Sequence, residues 1–76
     1  MRYTVLIHRA DEGGYWAEIP ALEGCFAQGE MLDDLLAEVR EAAVSHLAAL
    51  KADGQLIPDD DLVLMTTVVV DERSVA

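Results

Sequence analysis

Seventy-six residues make one domain, read here as a single unit over 1–76, near the size at which one hydrophobic core barely suffices without staples. Fifteen acidic against five basic residues give a formal net charge of −10, which repels phosphate backbones and argues against nucleic-acid binding by this chain alone. A single cysteine excludes an internal disulfide framework and a cysteine-rich zinc site, so the chain reads as a reduced protein of the cytoplasm.

Arg2 to His8, RYTVLIH, is rich in β-branched and aromatic residues and apolar at both parities, which predicts a first strand covered on both faces. Its apolar run is far short of the roughly 20 residues of a membrane span, and no small-residue cleavage site follows it, so neither membrane insertion nor export is expected. The segment RADEGG supplies turn formers, and Tyr15–Ile19 resumes a strand pattern, predicting an antiparallel hairpin. Pro20 ends the second strand's usable ladder, and Cys25–Gln28 forms a short third strand. Gly13 and Gly14 permit the hairpin turn, Pro20 and Gly24 shape the next connection, and Gly29 releases the chain into a helix.

From Leu32 to Leu50 the apolar positions Leu32, Leu35, Leu36, Val39, Ala43, Leu47 and Leu50 follow helical spacing. Glu30, Asp33 and Asp34 at its start and Lys51 at its end suit the helix dipole, and Asp53-Gly54 marks the stop. Leu62–Val70, LVLMTTVVV, predicts a final strand, again apolar at both parities. The order β-β-β-α-β defines an α+β domain: three antiparallel strands, a fourth returning parallel to the first by a right-handed crossover, and one helix on one sheet face.

That arrangement leaves the last strand at an edge and one sheet face bare. With no Pro, Gly, Lys or Glu to blunt it, such an edge invites uncontrolled strand addition unless the chain closes it on itself. A homo-oligomer, dimer or tetramer, is therefore expected, with Leu64, Met65, Thr66, Val68 and Val70 at the interface.

Chemical readings of the glycine-rich stretch fail on residue type. GCFAQGEM has the spacing of a phosphate loop, yet Glu30 and Met31 stand where that loop needs Lys and Ser or Thr. Cys25, between Gly24 and Phe26, reads as a small buried hydrophobe rather than a nucleophile. His8 and His46 read as boundary residues satisfying hydrogen bonds, and Tyr15 and Trp16 as sheet residues. The acidic pairs Asp11-Glu12, Asp33-Asp34, Asp59-Asp60-Asp61 and Asp71-Glu72 raise a metal-dependent nuclease as an alternative, but the middle of the first strand, Thr4-Val5-Leu6-Ile7, offers no carboxylate to hold Mg²⁺. The residues thus predict no catalytic site, no metal and no cofactor.

Tyr3-Thr4-Val5, Gly13-Gly14-Tyr15-Trp16-Ala17, Pro20-x-Leu22-x-Gly24-Cys25 and Gln28-Gly29-Glu30, followed by the amphipathic helix and Ile57-Pro58, resemble the HicB family of antitoxin-like domains over about residues 3–60. The resemblance implies a partial RNase H-like fold and a non-enzymatic role: neutralising a small basic HicA toxin, an RNA-cleaving protein, by direct binding. An acidic chain suits such a partner, and Asp11, Glu12, Glu23, Asp33 and Asp34 are the expected contacts by sign and exposure. A free-standing oligomeric domain with another binding role is the other reading. Two departures stand out. Met31 occupies a position where the family often has a helix-capping Thr. The DNA-binding domain that many of these antitoxins carry at the C-terminus does not follow the expected last strand, so autoregulation by this chain alone is not expected.

Overall fold

The computed structural model describes residues 1–61 and 64–75. Three strands, β1 (Leu6–Arg9), β2 (Tyr15–Glu18) and β3 (Phe26–Gly29), form one antiparallel sheet in the order β1-β2-β3, and the helix α1 (Leu32–Ala52) packs on one face of it against β3 and β2. A single turn of 3-10 helix, Glu72–Ser74, lies near the C-terminus.

The β1–β2 turn closes through Ala10 N–H to Gly14 O at 3.1 Å and Gly13 N–H to Ala10 O at 3.2 Å. Gly14 has φ +73, and a Cβ there would stand 2.8 Å from the Gly29 carbonyl oxygen and 3.2 Å from Glu30 Cα. Two backbones therefore meet at this point, which only a residue without a side chain allows. Gly29 is the second such contact: a Cβ would lie 2.9 Å from the Leu35 backbone nitrogen and 3.1 Å from its Cα. The first turn of α1 thus sits directly on the end of β3.

The β2–β3 connection is a tight loop in which Leu22 N–H donates to Ile19 O at 2.9 Å and Cys25 N–H to Leu22 O at 3.0 Å. Pro20 and Gly24 lie within it, the latter at φ +83. The loop folds Leu22 under the sheet, and Leu22 and Leu35 are the two largest fully buried side chains. With Ala17, Ile19, Cys25 and Val39 they make the core, flanked by Tyr3, Val5, Tyr15, Ala27, Ala42, Ala43 and Leu47.

Helix α1 begins on Met31, whose extended backbone (φ −117, ψ 152) suits a cap while its side chain makes no capping bond. It ends in a Schellman motif: Gln55 N–H reaches Leu50 O at 2.9 Å, Gly54 N–H reaches Lys51 O at 3.1 Å, and Gly54 takes φ +72. The predicted apolar stripe is only partly buried. Leu35 and Val39 are inside, whereas Leu32 and Leu36 are about half exposed, because a three-stranded sheet is narrower than the stripe.

Two expectations about strands compare differently with the structure. The first strand, predicted over Arg2–His8, pairs only over Leu6–Arg9. Its last partner is Glu18, since Ile19 N–H turns to Cys25 O at 3.3 Å and Pro20 has no N–H to give. Tyr3 and Thr4 instead bond on their other side, the Tyr3 hydroxyl to Pro58 O and Thr4 Oγ1 to Asp60 Oδ2 at 2.7 Å. The fourth strand, predicted over Leu62–Val70, is not shown among the described residues. Leu62 and Val63 lie outside the described residues, and residues 64–70 pair with no strand among them. A strand is completed by its neighbour, and residues 64–70, largely exposed, have none among the described residues. The radius of gyration is 15.6 Å, against about 11 Å for a compact chain of this length.

Candidate protein-binding surface

Antiparallel order sorts the loops to two ends of the sheet. The β1–β2 turn and the β3–α1 junction share one end; the β2–β3 loop and residues 3–4 with their partners at 58–60 share the other. Asp11 and Glu12 in the turn and Asp33 and Asp34 in the first turn of α1 therefore fall at the same end, all exposed. Glu12 lines a cleft of about 380 Å³ with Tyr15 and Glu30. Tyr15 and Glu30 also line an adjoining one with Asp33. Glu30, which was not among the expected contacts, lies at the same end and shares these two clefts with Glu12 and with Asp33. Glu23 does not join them. It is exposed in the β2–β3 loop, lining a depression with Leu22, His46 and Pro58 at the opposite end.

Asp33 and Asp34 stand where the unpaired N–H groups of the helix favour negative charge, so the acidic end is compatible with the fold that presents it. None of these carboxylates is buried, and none is drawn into a hydrogen bond among the described residues.

The sheet face away from α1 carries different chemistry. His8 stacks on Trp16 with ring centroids 4.1 Å apart and 18° between planes, and Trp16 meets Phe26 at 6.2 Å and 55°. His8 Nε2 lies 2.9 Å from Glu18 Oε2, one pair along the same face. His8 thus satisfies a boundary hydrogen bond, as its position predicts, while Phe26 remains 60% exposed. The result is an aromatic platform open to solvent, of the composition that protein interfaces favour.

Cys25 is buried, and burial pushes its thiol above the ordinary range, the opposite of an activated nucleophile. Glu18 is the one carboxylate on the three strands, and its partner is His8. Among the described residues no group of three His, Cys, Asp or Glu side chains is arranged to hold a metal ion, and no helix is long and apolar enough to cross a membrane. The basic residues Arg2, Arg9, Arg40, Lys51 and Arg73 are scattered and exposed, with Arg73 bonded to Asp71 at 3.3 Å. Arg73, through its backbone N–H first and then its side chain, holds the Asp71 carboxyl below the usual range.

The domain is a two-layer α+β unit with a three-stranded antiparallel sheet, one covering helix, and acidic and aromatic surfaces. Residues 3–71 match the HicB_like antitoxin of bacterial toxin-antitoxin systems, and the chain belongs to that family. It is similar to a UPF0150 protein of Thermoplasma acidophilum, 38% identical over 61 residues that cover 80% of this chain and 88% of that one. A UPF0150 protein of Synechocystis is 36% identical over 62 residues, covering 82% and 78%. Among solved structures, a chain of the HicA3 and HicB3 toxin-antitoxin complex matches with TM-score 0.64 and 30% identity, over 74% of this chain and 64% of that chain, a little under two thirds of its length.

Proposed function

We propose that this domain is a non-enzymatic antitoxin module of the cytoplasm that binds and neutralises a small, basic, RNA-cleaving toxin of the HicA type, and that it binds no nucleic acid on its own. The observation that carries this reading is the likeness, at 30% identity, to a chain of a solved HicA3 and HicB3 toxin-antitoxin complex. Charge supports it independently. A net charge of −10 with Glu12, Glu30, Asp33 and Asp34 gathered at one end suits a basic partner and disfavours a phosphate backbone.

The acidic end meets the toxin through long-range attraction, and burial of neutral side chains then sets how long the complex lasts. Neutralisation on this view needs no chemistry from the antitoxin: a bound protein occludes the toxin's RNA-binding surface.

The test is co-expression with a HicA-type toxin encoded beside the gene. Restored growth together with a stoichiometric complex on gel filtration is the expected result. Continued growth arrest despite soluble, folded domain overturns the proposal, as does RNA cleavage by the purified domain alone.

A further inference from the structure

We propose that residues 64–70 form an exchanged arm, which adds to the free edge of β1 in a second copy of this chain while that copy's arm does the same in return. Five side chains of the arm, Leu64, Met65, Val68, Val69 and Val70, are between 64% and 100% exposed in the single chain. No charge interrupts the segment, and both parities are apolar, the pattern of a strand covered on two faces. A soluble chain does not leave such a strand in water without a use for it.

The receiving site is equally visible. Among the described residues β1 pairs on one side only, with β2, so its other edge is open to any strand that arrives. One row of arm side chains would lie against Ile7, itself 43% exposed, and the other against Leu6 and His8 on the open face.

Charge selects a second copy as the occupant. Two chains of net charge −10 repel except where neutral surface meets neutral surface, and the arm and the apolar part of the open face are such surfaces. The charge that draws a basic partner lies at the acidic end and not on this segment. The arm also starts from the right place: the bonds of Tyr3 to Pro58 and of Thr4 to Asp60 fix the chain at the flank of β1 just before the arm leaves. Reciprocal exchange from that point fills the β1 edge of both copies and closes a two-fold dimer. This inference does not depend on the toxin.

Light scattering at tens of micromolar is expected to give twice the 8.3 kDa chain mass. Val69→Lys, at a fully exposed position where the single chain has nothing to lose, should return the single-chain mass with unchanged helical circular dichroism. A second measurement separates exchange from closure within one chain. Ile7→Cys protein mixed with Val68→Cys or Val69→Cys protein should form a disulfide between chains. A single-chain mass for the unaltered protein, a dimer untouched by Val69→Lys and Val68→Lys, or a disulfide formed only within one doubly substituted chain each overturns the proposal.

Discussion

Thr4 Oγ1 donates to Asp60 Oδ2 at 2.7 Å across 56 residues of sequence, joining the flank of β1 to the segment that follows the helix. The other oxygen of Asp60 is buried without a hydrogen-bond partner among the described residues, so Thr4 is this carboxylate's one anchor there. Removing the hydroxyl leaves a partly buried carboxylate unsatisfied, which costs about 1.5–3 kcal/mol. Thr4→Val should lower the urea midpoint accordingly, with the denaturant slope unchanged. An unaltered midpoint would show that water replaces the bond at no cost.

The glycine contacts predict a ranking. Gly13 has φ +100 but open space around it, so Gly13→Ala costs only backbone strain, about 1–2 kcal/mol. Gly14→Ala adds the clash with Gly29 O to a similar strain and should be the worse of the two. Gly29→Ala pushes the first turn of α1 off the sheet, costing about 1–3 kcal/mol as overpacking does. Chemical denaturation of the three variants checks the order.

Met31 offers the reverse experiment. Its backbone has cap geometry and its side chain is 65% exposed and bonded to nothing at the helix start. Met31→Thr or Met31→Asp should gain about 1 kcal/mol, a rise in Tm of roughly 4–8 °C for a domain of this size. A calorimetric scan that shows no gain would mean the N–H groups of the first turn are already served by water.

For Cys25 the sign follows from the raised thiol. Burial favours the neutral form in the folded chain, so the unfolded chain ionises first as pH rises past the ordinary value of 9.0. The contribution is whole below that pH and is lost as pH climbs through the folded value. Stability should therefore fall in alkali more steeply for the native sequence than for Cys25→Ala, as read by urea midpoints from pH 7 to 10.5. Reaction with a thiol reagent at neutral pH should be limited by unfolding.

Reversing charge at the acidic end should slow toxin association. Glu12→Lys with Asp33→Lys is expected to lower the on-rate up to about 10-fold at low salt, an effect that fades as the screening length shrinks to about 3 Å at 1 M. Glu23→Lys, at the opposite end, should change little. Equal slowing by both would show that Glu23 contributes to the encounter as much as the acidic end does.

Much of this was readable from the residues because it is local. The hairpin turn, the helix and its stop at Asp53-Gly54 follow from short-range backbone preferences, and Gly54 is found in the motif those preferences imply. The acidic end was half legible: the sign and exposure of Asp11, Glu12, Asp33 and Asp34 are sequence properties, but their company with Glu30 and their separation from Glu23 come from strand order. The length of β1 was not legible, since it is set by where β2 stops offering partners, at Glu18 and Pro20. Nor was the state of residues 64–70. An apolar pattern at both parities says that a strand is covered and is silent about which chain covers it.

Because Tyr3 touches Pro58 and Thr4 touches Asp60, the residues leading into β1 and residues 58–60 share one pole of the domain, while Glu12, Glu30 and Asp33 occupy the other. A fluorophore, tag or surface linker joined just ahead of Tyr3 is thereby held away from the acidic pole. Immobilised through its N-terminus, the protein presents that pole outward to whatever flows past.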